Sequence, residues 1–236
     1  MDNQLVTEDL ASKLTFAARL RRLFRRLSHS QYSHLAACFL IPAGLMLLIY
    51  ICRGLHPIAD GSVLVLDLNG QYVYFYEALR DFIWGDGSLL YSFSRALGGE
   101  FLGIYAYYIA SPLSWLVALF PEGRMLEALL VIFLLKTGFC GLTFAWYLHK
   151  TSRHLNKINV CLFATMYALC SYAVVQQHNS MWIDAMTWLP VLTYAIEQLI
   201  KNKKYKLFVI SLAITVMSNF YIGYMVCIYV ALYFFF

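Results

Sequence analysis

Apolar residues along this chain gather in long runs separated by short polar breaks. The first run, "LAACFLIPAGLMLLIYIC", covers the 18 residues from Leu35 to Cys52. At the α-helical rise it reaches roughly 27 Å, enough to cross the hydrocarbon core of a bilayer. Further runs extend from Met125 to Leu148, Ile158 to Val175, Ala185 to Ile200, Leu207 to Ser218, and Tyr221 to Phe236. The pattern predicts an all-α polytopic membrane protein. The 34 mostly polar residues before the first run, with no small-residue cleavage site after it, mark that run as an uncleaved signal anchor.

One further apolar run, "FLGIYAYYIASPLSWLVALFP" (Phe101 to Pro121), needs a decision that hydrophobicity alone does not make. Charge supplies it. Basic residues cluster at Arg19 to Arg26, Lys150 to Lys157 and Lys201 to Lys206, and acidic residues concentrate between Asp60 and Glu127. If each basic cluster faces the cytoplasm, an even number of crossings separates any two of them. That condition holds only if Phe101 to Pro121 does not span. Gly103, Pro112 and Pro121 interrupt it, and Tyr105, Tyr107, Tyr108 and Trp115 suit a headgroup layer. The expected division is a cytoplasmic basic segment at 1–34, a first span at 35–52, an extracytoplasmic loop with short interfacial or re-entrant helices at 53–124, and about five further spans at 125–236. The N-terminus is expected in the cytoplasm. The closing "VALYFFF" lies inside an apolar run and reads as a truncation of a longer protein.

Composition agrees with a lipid-embedded chain: 61% of residues are hydrophobic and 13% charged, against about a quarter charged in soluble domains. The basic clusters are short and separated by lipid-compatible runs, which excludes nucleic acid as a partner. The segment "LASKLTFAARLRRLFRRLSHS" places Leu20, Leu23, Phe24 and Leu27 at helical spacing among five arginines. It reads either as an attachment to anionic membrane lipid or as a topology signal alone. The six cysteines sit in or beside apolar runs without CxxC spacing, as small packing residues.

Candidate chemistry concentrates in "DLNGQYVYFYEALRDFI", read as a short helix after a Gly turn. Asp67 and Gln71 are four residues apart, as are Glu77 and Asp81, so each pair shares a helical face. Arg80 is placed to pair with Glu77 or Tyr76, and Asp67 or Asn69 to cap the helix. A carboxylate just outside the bilayer can take a proton from an attacking hydroxyl. Tyr72, Tyr74 and Trp84 offer ring faces suited to a sugar. Arginine forks such as Arg80, and Arg95 beside Gly98 and Gly99, suit a phosphate. Lys136 falls near the middle of a span, where a charge costs roughly 3 kcal/mol. It therefore faces protein or a wet cavity, either to bind an anion or to bond a neighbouring span, and Thr137 and Gly141 allow a close helix contact beside it. In "QQHNSMWIDAMTWLP", His178 and Asp184 are the ionisable groups of an outer hairpin. One His and one Asp do not specify a metal, although a divalent ion is possible.

Four segments in order, "DLNGQYVYFYEALRDFI", "LLYSFSRALGGEFLGIYAYYIASPLSWLVALFP", "HNSMWIDAMTWLP" and "SNFYIGYMV", resemble the YfhO family of bacterial membrane proteins, over Arg53 to the end of the chain. The match to the wider GT-C glycosyltransferase architecture is looser. The resemblance implies a GT-C-like helical bundle in the bacterial cytoplasmic membrane. It implies transfer of a sugar from a polyprenyl-phosphate donor to an extracytoplasmic cell-envelope polymer such as lipoteichoic acid. Asp67, in an Asp-x-x-x-Gln-Tyr pattern with Gln71 and Tyr72, takes the position of the catalytic base. Arg80, Arg95 or Lys136 would hold the donor phosphate, and Tyr72, Tyr74 and Trp84 the sugar, with His178 and Asp184 also on the acceptor side. Family members are much longer, so the stretch present here is expected to lack parts of the donor and acceptor sites and to be inactive alone. The rival readings are a transporter or lipid flippase using Lys136 and Asp184, and a non-catalytic membrane fragment.

Overall fold

The computed structural model describes residues 33–93, 97–152 and 154–235. The basic amphipathic segment and Arg95 lie outside the described residues. Among the described residues there is no β-strand beyond the isolated bridges Leu55–Gly61 and Ser92–Gly99.

Helix α1, Ser33–Cys52, and helix α4, Met125–Thr151, are each long and apolar enough to cross a membrane. They pack side by side because α4 thins itself at the contact. A β-carbon at Gly141 would lie 2.3 Å from the Cys38 carbonyl oxygen, and one at Gly138 would lie 2.7 Å from the Phe39 ring. Small residues at such a seam let two backbones approach closely. Pro42 of α1 is buried against the same seam.

Helix α4 is the central post, contacted by α1, by α5 (Lys157–Ala168) and by α7 (Ser180–Asn202). Helix α5 continues, after a 44° bend, into α6 (Ser171–Val175) and the 3₁₀ turn Gln176–His178. Helix α7 carries Pro190 and turns its apolar face inward, burying Ile183, Leu192 and Ile196. Helices α8 (Lys206–Ser218) and α9 (Phe220–Phe235) close the bundle. Helices thus occupy all five apolar runs after residue 124. At 13 and 16 residues, α8 and α9 are roughly 20 and 24 Å long, short of the full hydrocarbon thickness.

The segment between α1 and α4 folds as a cap over one end of the bundle. A π-helical turn, Leu68–Tyr72, runs directly into α2, Val73–Trp84. Gly70 lies inside that turn, so the helical path begins before the glycine expected to precede it. Helix α2 ends at Gly85, whose φ of 94° lets its N–H reach back to the Asp81 and Phe82 carbonyls. Leu68, Tyr72, Tyr76 and Leu79 bury themselves against Ile109, Val117, Leu129, Ile132 and Phe133.

The run Phe101 to Pro121 is not one straight helix. Helix α3, Leu102–Ile104, and the π turn Tyr105–Ile109 lead to a 105° bend, followed by the 3₁₀ helix Pro112–Leu119. The break falls where the sequence demands it. Proline disfavours a helical conformation in the residue before it and donates no N–H. Ser111 accordingly has ψ of 136°, and its hydroxyl accepts from the Leu113 N–H to start the next helix.

Candidate functional site

The bend brings Ser111 down onto the bundle, where it meets a buried charge pair. Lys136 Nζ lies 2.8 Å from Asp184 Oδ2 and donates a second bond of 2.8 Å to the Ser180 carbonyl. Ser111 Oγ donates to the other oxygen, Asp184 Oδ1, at 2.7 Å. Lys136 is 1% exposed and Asp184 3%. Ions so far from water persist only when each is paired and hydrogen-bonded, and both conditions are met. Lys136 and Asp184, expected on a phosphate and an acceptor respectively, are each other's partner. The Lys136 ammonium is sealed between α4 and α7, so of its two sequence readings the geometry matches the bond to a neighbouring span.

A second network lies at the same end of the bundle. Tyr72 Oη is 3.2 Å from Asn179 Oδ1 and 3.4 Å from Asp67 Oδ2. Burial, and then the neighbouring Asp67 carboxylate and Tyr108, push the Tyr72 phenol up from its ordinary value. It therefore keeps its one proton to donate. Asn179 spends its amide protons on Gln176 Oε1 and His178 Nε2. His178 Nδ1 lies 3.0 Å from the Val175 carbonyl, extending the chain of partners. Asp67 stands at the outer end of this chain, exposed. It occupies the capping position of the π turn but makes no capping bond with its side chain; with Oδ2 facing Tyr72, Oδ1 is the oxygen without a hydrogen bond among the described residues.

The other sugar-side candidates do not converge. Tyr72 is buried against Phe75 and Tyr108. Tyr74 is exposed on the far side of α2, and Trp84, also exposed, donates its indole N–H to the Ala118 carbonyl. Gln71 is exposed. Tyr72, Tyr74 and Trp84 thus do not line one pocket, because helical rotation between positions 72, 74 and 84 sends them in different directions. Arg80 meets Asp81, at 3.7 Å, where Glu77 or Tyr76 was expected, and its Nε has no hydrogen-bond partner.

Sequence reasoning missed Asn179, Ser111 and Ser180, and it missed the bond between Tyr50 and Gln177 that ties α1 to the 3₁₀ turn. The available signal was position: each of the first three is a small polar residue at a helix break between apolar runs. Asn219, noted as a turn residue, does more. It accepts from the Ile222 N–H to start α9 and donates to the Tyr107 carbonyl at 2.7 Å, fastening the bent segment a second time.

Beside the network is a cavity of about 360 Å³. The end of α1, the loop 55–65, α4 and α6 enclose it. Among the described residues no group of three His, Cys, Asp or Glu is arranged to hold a metal ion.

These features define an all-α polytopic membrane protein with a folded cap over one end of its bundle. The family description "Bacterial membrane protein YfhO" matches residues 37–236, and the chain belongs to that family. A relative described as "Uncharacterized protein YfhO", from Bacillus subtilis (strain 168), is 26% identical over 180 residues. The aligned region covers 69% of this chain and 20% of that protein, so the chain spans about a fifth of the relative's length. No solved structure matches it.

Proposed function

We propose that the full-length protein is a GT-C-like glycosyltransferase that moves a sugar from a polyprenyl-phosphate donor to an extracytoplasmic envelope polymer such as lipoteichoic acid. The observation that carries this reading is the position of Asp67. It is an exposed carboxylate at the outer end of a hydrogen-bonded chain, and Tyr72, which lies 3.4 Å from it, has a nearer acceptor in Asn179. Asp67 accepts the proton of the acceptor hydroxyl, which attacks the anomeric carbon as the lipid phosphate leaves. The phosphate needs no general acid.

The bent segment 101–121, docked through Ser111 and Tyr107, supports an extracytoplasmic cap with the N-terminus in the cytoplasm. The basic ends of α4 and α7, at Lys150 and Lys201, then meet the cytoplasmic surface. Arg80 and Arg95 remain candidates for the donor phosphate, and Gln71, Tyr74 and Trp84 for outer contacts to sugar or polymer.

In full-length protein expressed at wild-type level, Asp67→Asn should abolish sugar on the envelope polymer, read by compositional analysis of that polymer. Unchanged sugar content sinks the assignment. The buried Lys136–Asp184 pair favours a second reading, transport or lipid flipping. Substrate movement that requires Lys136 but tolerates Asp67→Asn would establish that reading instead.

A further inference from the structure

The cavity between α1 and α6 has a mixed lining. Met46, Ile49, Val63, Val65, Val174 and Val175 contribute apolar groups, and Tyr50, Arg53, Ser62, Gln177 and His178 polar ones. No lining residue is acidic. The Tyr50, Gln177 and His178 side chains are already engaged, and the Ser62 hydroxyl accepts from the Leu64 N–H. Tyr50 donates to Gln177. The two ring nitrogens of His178 lie against the Val175 carbonyl and the Asn179 amide. Arg53 is exposed and, among the described residues, has no ion-pair partner. An uncommitted guanidinium thus closes an apolar cleft at the end of a membrane-spanning helix.

Such a fork matches phosphate oxygens two at a time, which an ammonium does not. The volume sits near the lower end of the range for small-molecule pockets. It holds a headgroup and the first few methylene-sized groups, not a whole lipid. The remainder has a way out past Ile49, Val174 and Val175, which are exposed on the flank of the bundle.

We infer that this cavity binds the phosphate head of an isoprenoid-type lipid, with Arg53 gripping the phosphate and the chain leaving between α1 and α6. This deepens the sugar-transfer reading and rests on it at one point, that the bound lipid is the donor. It also places the phosphate near Asp67, since Val65 lines the cavity and the Tyr72–Asn179–His178 chain joins lining His178 to Asp67.

The test is lipid retention by the full-length protein in detergent, read by native mass spectrometry after incubation with undecaprenyl phosphate. Undecaprenol, phosphatidylcholine and inorganic phosphate form the comparison arms. Undecaprenyl phosphate should be retained, and undecaprenol and phosphatidylcholine should not. Arg53→Gln should weaken retention about tenfold, with Arg53→Lys intermediate. Val175→Trp, which blocks the exit while keeping the arginine, should weaken it as well. Each variant is compared at a matched thermal-unfolding midpoint, and the graded Lys variant separates lost recognition from lost folding. Retention that is equal in wild type, Arg53→Gln and Val175→Trp overturns the inference. Displacement of the lipid by equimolar inorganic phosphate overturns its lipid half, leaving a free-anion site. Arg53-dependent retention alongside full sugar transfer by Asp67→Asn leaves the lipid site standing while the transferase reading falls.

Discussion

Removing one member of the Lys136–Asp184 pair should cost far more than removing both. Asp184 has each carboxylate oxygen engaged, one by Lys136 and one by Ser111, and Lys136 holds the Ser180 carbonyl as well. In Asp184→Leu the ammonium, 1% exposed in the wild type, has only a carbonyl left to stabilise it. In Lys136→Met the carboxylate keeps only the Ser111 hydroxyl. Breaking a buried pair from one side costs about 3–5 kcal/mol, whereas replacing both ions by apolar residues of similar volume is often close to neutral. For a domain of this size a shift of 1 kcal/mol moves the midpoint by roughly 2–4 °C. Each single variant should therefore melt roughly 10 °C below wild type, and Lys136→Met/Asp184→Leu should recover most of that loss. Thermal unfolding in detergent, followed by reaction of newly exposed cysteines with a fluorogenic maleimide, reads all four proteins. Losses that add in the double variant would mean that the two ions do not interact, and the pairing would be refuted.

Three further outcomes follow from separate contacts. Cys38 Sγ and Cys161 Sγ lie 3.1 Å apart across α1 and α5. Mild oxidation should therefore join them, giving a cross-linked peptide between residues 38 and 161 after proteolysis, and Cys38→Ser should abolish it. Gly141→Leu drives a side chain into the Cys38 carbonyl and should destabilise the protein by about 1–3 kcal/mol or prevent assembly. Gly44→Leu, at a position with nothing within 4 Å, should be tolerated, and equal unfolding midpoints for the two variants would argue against the α1–α4 seam. Glu77 has its carboxyl pushed above the ordinary 4.5 by burial, then by Asp81 and Glu122, with Arg80 opposing. Its folded form therefore favours the proton, and wild type loses stability as pH rises from 4.5 through the raised value. Glu77→Gln should be the more stable protein at neutral pH, with the advantage disappearing below pH 4.5, as read by unfolding midpoints across pH.

The fold was legible where a single physical rule governed the residues. Long apolar runs became helices because a lipid-facing backbone has no other way to satisfy its N–H and C=O groups. Pro112 broke its run because the residue before a proline resists helix. Gly141 announced a close contact, although its companion Gly138 went unnoticed. The site was less legible because its partners lie far apart in sequence. Lys136 and Asp184 were each conspicuous as charges near apolar runs, but their pairing depends on how α4 and α7 rotate against each other. Asn179 and Ser111 carry no charge and no motif, so only the packed bundle reveals that they complete the two networks. Tyr72, Tyr74 and Trp84 were grouped by chemical type within one short helix, and helical rotation separated them.

The fastening of the bent segment has a mechanical meaning. Its apex hangs from the Asp184 carboxylate through Ser111, and its first limb from Asn219 through the Tyr107 carbonyl. Lifting it would strip a donor from a sequestered anion and an acceptor from the Asn219 amide at the α8–α9 junction together. The aromatic roof above the bundle is thus bolted at two points, one an interior ion and one a helix junction, and loosening either bolt slackens the roof.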